Sequence, residues 1–118
     1  MKRPNALRLL IGALALGVSL VAQAHSPLKS TLPANDATLN TPPERITLSF
    51  KGDFRLTRIT ASHANRAPVV LDISHVTGFA HTFVVPLASM GAGDYRIEWR
   101  GLGKDGHVQS GAFSFTVQ

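Results

Sequence analysis

The sequence contains no cysteine, and this absence excludes two kinds of structure. A disulfide framework cannot form, and neither can a metal site built on thiolates. Methionine is almost absent as well, because Met1 and Met90 are its two occurrences. Copper(I) prefers soft sulfur ligands, so these counts argue against a dedicated copper(I) site.

The chain after residue 24 also lacks any segment that sustains a helical stripe over three turns. It shows instead a period-two alternation of apolar and polar residues, which is typical of strands with one buried face. The clearest predicted strands cover 46–50, 95–100 and 113–117, and weaker candidates cover 27–32, 55–62, 68–73 and 81–85. Turn-forming residues occur at 33–36, 42–43, 51–53, 64–66, 91–94 and 101–106. This pattern predicts an all-β, immunoglobulin-like sandwich or small barrel with Greek-key connections.

The start of the chain has the composition of a secretory signal peptide. Basic residues precede an apolar run over 9–21, and Ala22-Gln23-Ala24 then matches the small-x-small pattern that signal peptidase cuts after. The apolar run is shorter than the roughly 20 residues that a membrane span needs. We therefore expect a signal peptide over 1–24 and one exported domain over 25–118, with no stable membrane insertion after cleavage.

Positive charge in the exported part is too sparse to indicate a nucleic-acid partner. Three of the twelve Lys and Arg residues belong to the signal segment, whereas all seven Asp and Glu residues lie after it. No cluster of Lys and Arg interleaved with aromatic residues remains. The chain also lacks a nucleophile elbow and the strand–loop–helix context of a phosphate-binding loop. These absences favour a binding protein over an enzyme.

The residues that carry chemistry are His25 and the tripeptide Asp105-Gly106-His107. Cleavage after Ala24 leaves His25 with a free α-amine and an imidazole, which together can chelate one metal ion. Asp105 and His107 stand two residues apart, so their side chains point to one side of an extended chain. Three nitrogens and one oxygen in a tetragonal arrangement suit copper(II). Taken alone, Asp105-Gly106-His107 is also an ordinary turn, and its combination with His25 is what points to a metal.

The other histidines give weaker signals. His63 adjoins a predicted turn, and we expect it to be solvated. His75 lies in a polar loop, and His81 shares a strand face with Phe83 and Val85 that borders the core or the sheet edge.

The exported sequence resembles the CopC-like periplasmic copper-resistance proteins. The matching positions are His25, Leu28, Ser30, Pro33, Ala34, Leu39, Pro43 and the segments 46–50, 93–100, 105–107 and 110–117. The resemblance implies a seven-stranded Greek-key β-barrel that binds one copper(II) ion through the amine and ring of His25, with Asp105 and His107. It also implies a periplasmic copper carrier or buffer in copper homeostasis and resistance, often beside an inner-membrane copper-uptake protein.

Two positions depart from that family's pattern. Some members carry a glutamate near the copper, two residues after the phenylalanine of the early strand. This chain has Gly52 there, followed by Asp53, which leaves open whether Asp53 or a water completes the site. Some members also carry a methionine-rich loop for copper(I), which this chain lacks, so the resemblance implies a copper(II)-only member.

Two other functions fit part of the same pattern. Copper-dependent polysaccharide monooxygenases also hold their metal with an N-terminal histidine brace, although they are generally larger and have a flat substrate face. A metal-free β-sandwich acting in adhesion or assembly would need neither Asp105 nor His107.

Overall fold

One long strand organises the fold. The computed structural model describes residues 26–118, which form seven strands and no helix. The strands are β1 (Leu28–Leu32), β2 (Ala37–Leu39), β3 (Arg45–His63), β4 (Val69–Val70), β5 (Ala80–Pro86), β6 (Gly93–Gly103) and β7 (Val108–Val117). Strand β3 pairs with β1 and β5 along its first half and with β6 and β4 along its second half. The path continues from β6 to β7, and β2 joins the end of β7 in parallel. The predicted all-β barrel of seven strands is confirmed.

The turn predicted at 51–53 is wrong, because β3 passes through these residues without ending. Lys51, Gly52 and Asp53 are exposed, and the register with β5 shifts between Ser49 and Phe54. The backbone of Lys51 still donates a hydrogen bond to the Pro27 carbonyl (2.8 Å). Polar residues and a glycine therefore bend the strand here while its backbone stays extended.

An aromatic cluster fills the inside of this bend. The rings of Phe50 and Phe54 stack with centroids 4.0 Å apart. Trp99 of β6 meets both rings edge-on, at 5.3 Å and 5.6 Å. All three side chains are buried, and edge-to-face pairs add to the stabilisation from burial. The cluster fixes the second half of β6 against the bend in β3.

A second irregularity of β3 lies at Thr57. Leu56 pairs with Gly101 and Arg58 pairs with Arg100, so Thr57 is an extra residue in the ladder. Such a β-bulge turns two successive side chains to the same face. Thr57 and Arg58 are accordingly both exposed, and the inward alternation resumes at Ile59.

Tyr95 ties the loop before β6 to the core. Its hydroxyl donates a hydrogen bond to the carbonyl of Gly91 (2.7 Å) and accepts one from the backbone N–H of Met90 (3.0 Å). Its ring is buried and stacks on Phe115 with centroids 4.9 Å apart. One side chain thus joins the loop to the last strand.

Most predicted strands are present, with different ends. The clear candidates lie within β3, β6 and β7, whereas candidate 68–73 contributes only Val69–Val70. Strand β2 is missing from the prediction because three residues are too few to show a period. The turns predicted at 91–94 and 101–106 are partly wrong, since β6 begins at Gly93 and continues to Gly103.

Candidate metal centre

The tripeptide singled out in the sequence lies in the tight connection between β6 and β7. The last pair of the ladder is Leu102 with Val108, and the Gly103 N–H donates a hydrogen bond to the His107 carbonyl (3.1 Å). Gly106 has a φ of 88°, a left-handed conformation that favours glycine. Its N–H donates to the Gly103 carbonyl (2.9 Å). This connection holds the residues on either side of Gly106 close together.

The structure brings Asp105 and His107 into direct contact. Nδ1 of His107 donates to Oδ2 of Asp105 (2.8 Å), and the His107 backbone N–H donates to Oδ1 (3.0 Å). Both side chains are largely exposed, at 63% for Asp105 and 80% for His107. The contact orients the imidazole and leaves its Nε2 atom facing away from the carboxylate.

This contact changes the acidity of both groups. The hydrogen bond from the His107 side chain lowers the pKa of Asp105 below 3.8, and the His107 backbone N–H lowers it further. The same side-chain hydrogen bond raises the pKa of His107 above 6.5, aided by the negative charge of Asp105. At neutral pH the pair therefore presents a carboxylate and an imidazole that holds its proton more firmly than usual.

Asp53 lies near this connection, and its carboxylate is already engaged. Its Oδ1 accepts from Nε2 of His81 (2.8 Å), and its Oδ2 accepts from Nζ of Lys104 (3.2 Å). These hydrogen bonds, that of Lys104 first, lower the pKa of Asp53 below 3.8. Because Lys104 precedes Asp105 in the chain, this cluster anchors the β6–β7 connection to β3. No sequence pattern predicts this cluster, since Asp53, His81 and Lys104 lie far apart along the chain.

A cavity of about 380 Å³ opens beside Asp105. The rings of Phe50 and Phe54 contribute to its lining, together with Asp53 and Pro27. The beginning of the described chain therefore reaches the same end of the barrel as the β6–β7 connection. His25 itself lies outside the described residues.

The remaining histidines do not join this site. His63 is 6% exposed, its Nε2 donates to the carbonyl of Ala92 (2.7 Å), and its ring packs 4.8 Å from Tyr95. The prediction that His63 is solvated is thus wrong, because β3 continues to this residue and the loop before β6 covers it. His75 donates to the Val84 carbonyl (2.9 Å), and His81 is exposed at the sheet surface.

Within residues 26–118, no three His, Cys, Asp or Glu side chains are grouped closely enough to hold a metal ion. Asp105 and His107 supply one oxygen and one nitrogen, so a complete site needs further donors. The same part of the chain contains no helix that is long and apolar enough to cross a membrane.

Comparison with known proteins finds a family model, a curated relative and solved structures that match this chain. The CopC domain family model matches residues 28–118. The chain is 31% identical over 121 residues to copper resistance protein C of Escherichia coli, covering 93% of this chain and 94% of that protein.

Two solved structures share the fold. CopC from Methylosinus trichosporium OB3b has a TM-score of 0.67 at 22% identity, covering 80% of this chain and 94% of that chain. PcoC, a methionine-rich copper resistance protein from Escherichia coli, has a TM-score of 0.53 at 27% identity, covering 80% of this chain and 100% of that chain.

Proposed function

This chain belongs to the CopC family, and we propose that it is a periplasmic carrier or buffer of copper(II). In this proposal one ion binds to the α-amine and ring of His25, the carboxylate of Asp105 and the imidazole of His107. The family comprises copper resistance proteins and not enzymes, so the prediction of a non-enzyme is confirmed and the monooxygenase alternative falls away.

The observation that carries the proposal is the contact between Asp105 and His107. Nδ1 of His107 and Oδ2 of Asp105 lie 2.8 Å apart and share one proton. One ion that takes the place of this proton can therefore bind both side chains, because metal ligands must be deprotonated. The high exposure of both side chains gives an ion direct access.

The position of Pro27 supports a contribution from His25. Pro27 and Asp105 line the same cavity, and the Pro27 carbonyl is held by the Lys51 N–H at 2.8 Å. His25 precedes Pro27 by two residues, and two extended residues span at most about 7 Å. This short separation along the chain supports a role for His25 as a ligand at the cavity that Asp105 lines.

The donor set then selects the metal. Three nitrogens and one carboxylate oxygen suit copper(II) in a tetragonal arrangement, whereas zinc prefers a tetrahedron. The sequence offers no cysteine and, after the signal segment, only Met90 as a sulfur ligand. This composition favours copper(II) over copper(I).

The decisive experiment is a copper(II) titration followed by EPR, using protein that begins at His25. A version with one extra residue before His25 is the first control, because it converts the α-amine of the histidine into an amide. We expect one ion per chain with a nitrogen-rich tetragonal spectrum, and a large loss of affinity in the extended version.

Variants of Asp105 and His107 test whether these two side chains bind the copper ion. Asp105→Asn and His107→Gln should each weaken copper binding by at least about tenfold, a loss seen even when only a supporting group is removed. His75→Gln is the matched control, because His75 is exposed and lies in a different loop. Equal affinity in all three variants, or in the native and extended chains, would contradict the proposed ligand set.

The proposed location depends on removal of residues 1–24. N-terminal sequencing of protein recovered from the periplasmic fraction should begin at His25. A different first residue would remove the amine from the proposed site, and recovery in the cytoplasmic fraction would contradict the proposed location.

A further inference from the structure

Two arginines face each other on the outer surface of the sheet, away from the proposed copper site. Arg58 of β3 is the direct cross-strand partner of Arg100 of β6, and both side chains are exposed. Like charges directly opposite each other destabilise a strand pair. Within residues 26–118, neither Arg58 nor Arg100 forms an ion pair with a carboxylate. Residues 1–25 contain no Asp or Glu. The chain therefore does not compensate this repulsion itself.

The β-bulge at Thr57 creates the pair. If the alternation after Leu56 were regular, Thr57 would face outward and the next residue would face the core. The extra residue instead places Arg58 on the outer face beside Arg100. Bulges are frequent beside functional sites, where they redirect a side chain.

The pair lies in an open groove of about 550 Å³. Arg96 and Glu98 of β6 also line it and form an ion pair with each other (3.1 Å). Glu98 is thus already paired, and the surplus positive charge of the groove comes from Arg58 and Arg100. Since Arg96 and Arg100 are four residues apart on one strand, the positive groups spread over about 13 Å.

Strand β7 leaves the groove open on one side. Ser110 lies opposite Arg100, and Ala112 lies opposite Glu98, so the neighbouring strand presents small side chains that an arginine can reach across. Among residues 26–118, β2 pairs with β7 only at 115–117. The edge of β7 along 108–112 therefore has no partner strand in the described part of the chain, and an open edge accepts an extended peptide.

We propose that this groove binds an extended acidic segment of a partner protein. Carboxylates at alternate positions of an extended segment share one face, so a segment that lies in the groove over β7 can direct several of them toward Arg58 and Arg100. A small anion would pair with Arg58 and Arg100 alone and would leave the open edge of β7 unpaired. The groove lies along β6 and β7, the two strands that the connection with Asp105 joins. Docking itself does not require copper.

The test uses the exported protein without metal and a synthetic probe. The probe is an eight-residue peptide that alternates Glu and Thr, and its control replaces each Glu with Gln. We expect saturable binding of the Glu peptide by calorimetry, with amide NMR shifts concentrated on β6 and β7, and no binding of the Gln peptide. Added salt should weaken the binding because the charges are exposed.

Paired variants locate the site. Arg58→Gln with Arg100→Gln should weaken peptide binding about fivefold or more, the effect of losing exposed ion pairs. Lys29→Gln with Arg45→Gln removes the same charge from exposed positions on β1 and at the start of β3, and should leave binding unchanged.

Four results would overturn the proposal. These are equal binding of the two peptides, equal losses in the two double variants, displacement of the peptide by an equal concentration of inorganic phosphate, and binding to vesicles of anionic lipid without binding to the peptide. Copper titration of the same variants tests the copper site independently, so failure of one proposal leaves the other standing.

Discussion

Gly111 of β7 lies directly against the indole of Trp99, so that a β-carbon at this position would stand 2.5 Å from Cζ2 and 2.8 Å from Cε2. Trp99 is 3% exposed and is held on its other side by Phe50 and Phe54. The ring therefore cannot move away from Gly111 without disturbing its contacts with Phe50 and Phe54.

We expect Gly111→Ala to lower the free energy of unfolding by about 1–3 kcal/mol, the range for overpacking a core. Urea unfolding, followed by the fluorescence of Trp99, measures this change in the free energy of unfolding. Gly52→Ala is the control, because a β-carbon there meets no atom within 4 Å. Equal stability of the two variants would contradict this prediction, because it would show that the indole of Trp99 moves to accommodate the added β-carbon.

The contact between Asp105 and His107 predicts an unusual titration in the metal-free protein. NMR should give His107 a pKa above 6.5, because the Asp105 carboxylate favours the imidazolium. Asp105→Asn should bring the pKa of His107 back toward 6.5. The stabilisation from this pair is present below pH 6.5 and is lost as pH rises through the folded-state pKa of His107. An unchanged titration in Asp105→Asn would contradict the contact.

Protons should accordingly compete with copper up to a higher pH than at an ordinary histidine. A metal-bound imidazole must be deprotonated, and so must the α-amine of His25, whose reference pKa is about 7.7–8.0. We expect copper affinity to rise steadily from mildly acidic pH to pH 8. Titrations at several pH values measure this, and an affinity that stays flat over this range would contradict the nitrogen ligands.

The positive charge of the Lys104 ammonium should lower copper affinity, because Lys104 adjoins the proposed ligand Asp105. Asp53 accepts from Lys104 at 3.2 Å and partly neutralises its charge next to Asp105. We expect Asp53→Asn to weaken copper(II) binding by about 2- to 5-fold, since interactions between exposed charges are weak. Lys104→Gln should strengthen it, and the double variant should restore roughly the original affinity. Identical affinities in all versions, measured by competition titration, would show that solvent screens this charge fully.

The hydroxyl of Tyr95 should contribute to stability without affecting copper. Tyr95→Phe leaves the N–H of Met90 and the carbonyl of Gly91 without this partner, which typically costs about 1–3 kcal/mol. Chemical denaturation measures the loss, and the copper EPR spectrum should not change. Thr57→Val is the matched control, because it removes an exposed hydroxyl bonded to the Arg100 carbonyl (3.1 Å) and should cost less.

The sequence predicted the strands wherever burial alternates strictly. In β6, Tyr95, Ile97 and Trp99 face the core and the residues between them face water, so the period is visible without any structure. The sequence pattern was uninformative where β3 bends at Gly52, because the polar residues and the glycine found there also occur in turns. The burial of His63 was equally hidden, since it depends on a loop nearly thirty positions later, at Ala92.

The contacts of the candidate site were likewise predicted only in part from the sequence. The spacing of Asp105 and His107 predicted that their side chains converge. The predicted extended conformation is wrong, because a turn with Gly106 at positive φ brings them together. The hydrogen bonds of Asp53 with His81 and Lys104 join three distant parts of the chain, and only the folded register of β3, β5 and β6 brings them together. Local spacing reveals contacts within one loop, whereas contacts between strands require the topology.

The length of β3 has a consequence for how this protein unfolds. The strand shares ladders with β1 and β5 before its bend and with β4 and β6 after it. The stacked rings of Phe50 and Phe54 couple the two parts across the bend. Amide protons near Leu48 and those near Ile59 should therefore exchange with solvent through the same global opening, and the barrel should behave as a single cooperative unit.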